Sequence, residues 1–333
     1  MTILLSNEKG ELPKQMSKLS QLSAMTKVVA DTGDFAQIGQ YKPQDATTNP
    51  SLLLKAVMMP EYADIVSVIL ARSQALSGQR RIDEAMLDLA VGFGCEILGI
   101  IPGRVSTEVD ARASFDTEKT ISYAKAIIQK YANLGISRKR VLIKIASTWE
   151  GIKAAEALEK EGINCNLTLL FSLTQAIACA QSRVYLISPF VGRITDWYME
   201  KSNQTNFPSV ETDQGILSVK SIYEHYKKCN YSTIVMGASF RHVKQIEALA
   251  GCDALTIAPG LLQMLDSDDN PLPRMLNTVD AKVTLEPNIT EAEFRWKINQ
   301  NQMASEKLAE GIRQFAEDTV KLEQLIQQQL ITT

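Results

Sequence analysis

Val141-Leu142-Ile143-Lys144-Ile145-Ala146 is a short β-rich run carrying a single charge. Its other residues are apolar, the pattern of a parallel strand covered on both faces. Comparable runs lie near Lys27–Asp31, Asp45–Thr48, Glu96–Ile101, Asn164–Leu169, Val184–Pro189, Thr233–Gly237 and Ala254–Ala258. Helix-length polar or amphipathic stretches separate most of them, which predicts a parallel sheet with crossover helices. Eight such units favour a closed (β/α)8 barrel, the TIM-barrel class, over an open doubly wound sheet. The glycine pattern agrees, since no Gly-x-Gly-x-x-Gly follows any run. Gly92-Phe93-Gly94 precedes one instead, with Ile97 where the third glycine belongs.

A chain of 333 residues fits one such barrel with extensions. The expected organisation is a single barrel domain over 1–333, with an N-terminal extension at 1–21 and a C-terminal helical segment at 290–330 packed on the barrel. Thr290 and Glu293 have capping-box spacing ahead of Phe294 and Trp296. Farther on, Leu308, Ile312, Phe315, Leu322 and Ile326 fall on one helical face, suited to packing on the barrel or, as a second reading, to a dimer interface.

Apolar residues make up 45% and charged residues 22%, so a sizeable core can be buried. Lys and Arg number 35 against 38 Asp and Glu, a net charge of -3, which provides no field for nucleic acid or anionic membranes. Cys95, Cys165, Cys179, Cys229 and Cys252 are scattered, without a disulfide framework. Met1–Leu5 is too short for a signal-peptide core and no stretch approaches 18 apolar residues, so a soluble cytoplasmic protein is expected. Asp266–Asn270 begins like a calcium loop, but Pro271 and Asn277 stand where glycine and the bidentate glutamate belong. The only histidines, His225 and His242, lack ligand spacing, which leaves no zinc site. Ser239 opens like a nucleophile elbow, but Arg241 replaces its closing glycine.

Lys144 is the residue of this run that could carry chemistry. An inward-facing lysine in a covered strand loses water, and burial favours the neutral amine, the form that attacks a carbonyl to make a Schiff base. An edge-strand lysine, or one snorkelling outward between helices, is the competing reading. Polar residues of other runs bear on the choice. Asp31 closes Val28-Val29-Ala30-Asp31, and Asn164, Asn166 and Thr168 alternate with Cys165 and Leu167. Strand carboxyl ends are where barrel loops build sites, so these residues together point to a polar cavity. Taken singly, Asp31 could cap a helix and Asn166 could be a satisfied barrel amide. Arg193 and Arg241 also follow strands and suit a phosphate, or else are solvated loop arginines.

At these positions the sequence closely resembles transaldolases of the long bacterial and eukaryotic type, within the Schiff-base (class I) aldolases. The resemblance rests on Val28-Val29-Ala30-Asp31-Thr32-Gly33-Asp34, Asp45-Ala46-Thr47-Thr48-Asn49-Pro50-Ser51-Leu52 and the stretch Pro102–Arg112. Leu142–Trp149, Ile163–Ser172, Ser188–Arg193 and Gly237–Arg241 continue it, and it covers about Leu22 to Leu325.

The resemblance implies a transferase of the non-oxidative pentose phosphate pathway. It would move a dihydroxyacetone unit from sedoheptulose 7-phosphate to glyceraldehyde 3-phosphate, giving erythrose 4-phosphate and fructose 6-phosphate, without metal or organic cofactor. By the same resemblance Lys144 is the nucleophile, Glu108 acts through a water held near Thr168, and Asp31 takes the proton that triggers carbon–carbon cleavage. Asn49 and Asn166 would bind the hydroxyls of the retained fragment. Arg193, Arg241 and Ser188 would hold the phosphate, with Phe190 lining the pocket. Expected partners are phosphorylated ketoses and aldoses, and the family suggests a homodimer. Two rivals stand: a class I aldolase that releases free dihydroxyacetone, and a non-catalytic barrel that binds sugar phosphates without turnover.

Overall fold

The computed structural model describes residues 16–277 and 287–332. Residues 1–15 of the N-terminal extension lie outside them, and the rest of that extension runs into a short helix, Lys18–Ser23. Eight parallel strands, β1 (Lys27–Asp31), β2 (Asp45–Thr47), β3 (Val105–Glu108), β4 (Val141–Ala146), β5 (Cys165–Leu170), β6 (Leu186–Pro189), β7 (Ile234–Gly237) and β8 (Ala254–Ile257), close in sequence order into a barrel with helices around it. The expected (β/α)8 fold is therefore present.

One strand was expected in the wrong place. Glu96–Ile101 contributes the end of a long helix, Gly78–Ile100, and the third strand begins at Val105. The run reads as a strand because it is short and apolar, but its burial has helical period: Ala85, Leu89, Phe93 and Ile97 are all buried, four residues apart. Gly92 and Gly94 lie inside this helix. A Cβ on Gly94 would sit 1.7 Å from Tyr131 Oη, so the glycine lets the neighbouring helix Thr117–Asn133 pack close.

Strand periodicity positions the site. Val29, Leu142, Leu186, Met236 and Ala254 form an apolar plug inside the barrel. Two residues farther along four of those strands stand Asp31, Lys144, Ser188 and Thr256, which line a cavity above the plug. Side chains two apart share a face, so the same strands that seal the bottom of the barrel present polar groups at its carboxyl-terminal mouth.

The C-terminal segment closes one side of that mouth. Thr290 and Glu293 make the reciprocal capping box of helix Glu291–Gln300, and a second helix, Gln302–Thr332, follows. Leu308, Ile312 and Phe315 pack with Leu169, Phe171 and Phe190 beside the mouth. Leu322 and Ile326 pack instead with Tyr62, Val66, Leu89 and Phe93. No helix of the described residues is long and apolar enough to cross a membrane.

Candidate active site

The cavity at the mouth encloses about 810 Å³, part of it open to solvent, and Asp31, Asn49, Lys144, Thr168, Ser188, Phe190, Arg193 and Arg241 lie on its wall. Glu108 and Asn166 sit behind the wall and act on residues that form it. Lys144 is 5% exposed. Its Nζ lies 3.1 Å from Glu108 Oε2 and donates to the Thr48 carbonyl at 3.1 Å. Register explains the ion pair, because Glu108 is the β3 partner of Lys144, which in turn pairs with Asn166 on β5. Burial pushes the Glu108 carboxyl above the usual carboxylate range, and the Lys144 ammonium opposes this.

Beside the lysine, Thr47 Oγ1 donates to Asp31 Oδ1 at 3.0 Å and meets Thr256 Oγ1 at 2.9 Å. Asp31 is thus oriented by a hydroxyl network across β1, β2 and β8. Asn166 is fully buried. Its Nδ2 donates to Ser106 Oγ at 3.1 Å, and its Oδ1 accepts from Ser188 Oγ at 2.6 Å. Asn49 has a second job as N-cap of helix Pro50–Val57, accepting from the Leu52 amide at 2.9 Å. Thr168 Oγ1 is buried and makes no hydrogen bond among the described residues. It precedes Leu169, whose φ of 51° lies where the β5–β6 register shifts, so a strained bulge shapes this part of the wall.

Two guanidinium groups face the cavity, one from a helix and one from a loop. Arg193, in the first turn of helix Gly192–Lys201, lies over the rings of Phe190 and Phe315, at 5.1 and 5.6 Å from their centroids. Burial lowers its pKa first, and the Arg241 cation lowers it further. Two like charges converging at a partly desolvated wall favour a bound dianion. Gly192 makes the approach feasible, since a Cβ there would meet the Ser239 carbonyl at 2.2 Å. Arg241 Nε and Nη2 are held by Asp196 at 3.0 and 2.7 Å, while Nη1 points to Ser239 Oγ at 3.3 Å.

Sequence reasoning missed Thr47, Thr256, Ser239 and Phe315 as wall residues. Thr256 carried a signal, as the one polar residue inside Ala254–Ile257 at the period that faces the barrel interior. Phe315 was legible only as part of an apolar helix face. Ser188 lies on the cavity wall with the arginines, its hydroxyl donating to Asn166 Oδ1, and a second hydroxyl, that of Ser239, accepts from Arg241 Nη1.

A profile of the family described as Transaldolase/Fructose-6-phosphate aldolase matches residues 28–326. A protein of Marinomonas sp. (strain MWYL1) named Transaldolase is 56% identical over 317 residues, which cover 94% of this chain and 99% of that protein. Transaldolase A of Pasteurella multocida (strain Pm70) is 55% identical over 313 residues, covering 93% and 98%. A Transaldolase of Alteromonas mediterranea is 54% identical over 316 residues, covering 94% and 99%.

Proposed function

The chain belongs to the transaldolase/fructose-6-phosphate aldolase family, and from that premise we propose that its barrel mouth transfers a dihydroxyacetone unit between sugar phosphates through a Schiff base on Lys144. The enzyme is a transferase, a transaldolase. The observation that carries the chemical reading is Lys144 itself, a buried amine on the cavity wall within 3.1 Å of a carboxylate whose proton affinity burial has raised.

In this reading the Lys144 amine adds to the ketose carbonyl. The carbinolamine then loses water, with Glu108 giving and taking the protons through a water held near Thr168, whose hydroxyl makes no hydrogen bond among the described residues. Asp31, held by Thr47, takes the hydroxyl proton next to the bond that breaks. The bonding electrons flow into the iminium, an aldose leaves, and a three-carbon enamine remains on Lys144. Asn49 and Asn166 bind its hydroxyls. The enamine carbon then attacks the acceptor aldehyde, the alkoxide regains a proton, and hydrolysis of the new iminium frees Lys144. Arg193 and Arg241, with Ser188 and Ser239 on the same wall and Phe190 beside them, grip the phosphate. That remote binding energy aligns the reacting carbons. The substrates of this reading are sedoheptulose 7-phosphate and glyceraldehyde 3-phosphate, giving erythrose 4-phosphate and fructose 6-phosphate, in the cytoplasm and with a homodimer as the assembly.

Borohydride reduction in the presence of fructose 6-phosphate, followed by intact mass and peptide mapping, tests it. A three-carbon adduct on the Lys144 peptide is expected. A folded protein that binds the sugar and gives no adduct would remove the nucleophile.

A further inference from the structure

The family description names two outcomes of one kind of chemistry, transfer and simple aldol cleavage. They diverge at the enamine. If a proton reaches the enamine carbon, the resulting iminium adds water, its C–N bond breaks, and dihydroxyacetone leaves with the Lys144 amine restored. If an acceptor aldehyde arrives first, a new carbon–carbon bond forms. What surrounds Lys144 therefore matters, and part of that surrounding is a ring from the C-terminal helix.

We propose that Phe315 is a specificity-determining residue that keeps the Lys144-bound enamine for transfer by closing one wall of the cavity with a surface that holds no proton and no water; this deepens the transaldolase reading and rests on it. Phe315 is 2% exposed and lines the cavity, its ring centroid 6.0 Å from Lys144 Nζ. Most of the other groups lining this end are donors or acceptors: Asp31, Thr47, Asn49, Thr168 and Thr256. The ring also lies beneath the Arg193 guanidinium, so it spans from the Schiff-base nitrogen to the proposed phosphate grip.

The placement is fixed along the helix on both sides of the ring. One turn before it, a Cβ on Gly311 would meet Leu169 Cδ2 at 2.5 Å and Arg193 Nη1 at 3.3 Å, so the helix backbone lies directly against the β5 bulge and the arginine. One turn after it, the buried Asp318 accepts a hydrogen bond from Ser51 Oγ, in the helix that Asn49 caps. Farther along, Glu323 Oε1 pairs with Arg112 Nη2 at 2.6 Å. Packing holds the ring where it is, and a smaller residue there opens room for water, which occupies about 30 Å³ per molecule.

The test is the ratio of dihydroxyacetone released to dihydroxyacetone transferred, measured with fructose 6-phosphate as donor and erythrose 4-phosphate as acceptor, for wild type, Phe315→Leu, Phe315→Ala and Phe315→Tyr. Phe315→Ala is expected to raise the ratio roughly tenfold, a modest share of what a positioned proton donor or its exclusion commands. Phe315→Leu, still apolar and bulky, should stay within about threefold of wild type, an effect the size of one weak interaction. Phe315→Tyr keeps the ring and adds a donor, so it should raise release even if Phe315→Ala proves unfolded by circular dichroism. Ratios unchanged in both Phe315→Ala and Phe315→Tyr, or in Phe315→Tyr alone where Phe315→Ala does not fold, with only KM raised, would overturn the inference and leave Phe315 as packing for Arg193. The two failures separate cleanly: a wild-type protein that forms no transfer product counts against the transaldolase reading, whereas a wild type that transfers beside variants of unchanged ratio counts against Phe315 alone.

Discussion

Lys144 Nζ and Glu108 Oε2 lie 3.1 Å apart, and the two residues are register partners on adjacent strands of the barrel. Both side chains are almost fully withdrawn from water, at 6% and 5% exposure. Backbone hydrogen bonding between the adjacent parallel strands sets the two residues side by side. The proposed nucleophile and its proposed proton-transfer partner are therefore positioned by the sheet, while the segments that follow β6 and β7 supply the arginines. A charge pair so deeply buried stabilises little as a pair, yet removing one member leaves the other unpaired.

Lys144→Met should accordingly cost about 3–5 kcal/mol if Glu108 stays ionised, and less to the extent that Glu108 takes up a proton. Adding Glu108→Gln to Lys144→Met should recover part of that loss. Urea denaturation of the two single variants and the double variant measures the coupling. A double variant as unstable as the sum of the singles would show that the pair does not interact.

Burial raises the Glu108 carboxyl pKa, and the sign of its effect on stability follows. Between the ordinary carboxylate pKa and the raised one, the folded protein holds a proton that the unfolded chain has lost. The contribution of this group is therefore full below the ordinary value and is lost as pH rises through the raised value. In Glu108→Gln the fall of Tm with rising pH across this window should flatten. The kcat should drop roughly 100-fold or more, the usual cost of a general acid–base group, with loss of the limb on the basic side of the pH profile. Differential scanning calorimetry and pH–rate profiles check both parts; a variant that keeps the basic limb places the titrating group elsewhere.

Much of this was legible in the sequence, for identifiable reasons. The strands β1 and β4 match the predicted runs residue for residue, because each is a short β-rich run bounded by polar or turn residues. The third strand was missed since Ile97-Leu98-Gly99-Ile100-Ile101 has the composition of a strand and the neighbours of a helix, and only the four-residue spacing back to Ala85 separates the two. In the cavity, residues at strand ends declared themselves by interrupting apolar runs. Partners far apart in sequence did not: Asp196 holds Arg241 across 45 positions, and the C-terminal helix brings Phe315 to Lys144 from the other end of the chain. Periodicity describes one element at a time and is blind to such meetings.

Arg193 should not tolerate lysine. Its planar cation lies over two aromatic rings, and an ammonium keeps the charge while losing the stacking and the fork that fits phosphate. Arg193→Lys is expected to lower kcat/KM for fructose 6-phosphate about tenfold and Arg193→Ala about a hundredfold, the range that follows from removing a charge-assisted hydrogen bond in a partly desolvated site. With unphosphorylated fructose the variants and wild type should converge. Equal losses on both sugars would mean that Arg193 shapes the cavity without touching phosphate.

Asn49 has one observed role and one proposed role, and their loss can be told apart. As the N-cap of Pro50–Val57 its side chain satisfies the Leu52 amide, and replacing such a cap by alanine costs about 1 kcal/mol. It also lines the cavity with Lys144, where in the proposed reading it binds the enamine hydroxyls and so slows the release of dihydroxyacetone. Asn49→Ala removes both functions. Asn49→Ser keeps a capping oxygen and removes the reach of the amide, so thermal melts of Asn49→Ser should stay close to wild type while its release-to-transfer ratio climbs alongside that of Asn49→Ala. If Asn49→Ser retains the wild-type ratio as well as the wild-type melt, the amide is only a cap, and retention of the enamine depends on Asn166 and the ring of Phe315.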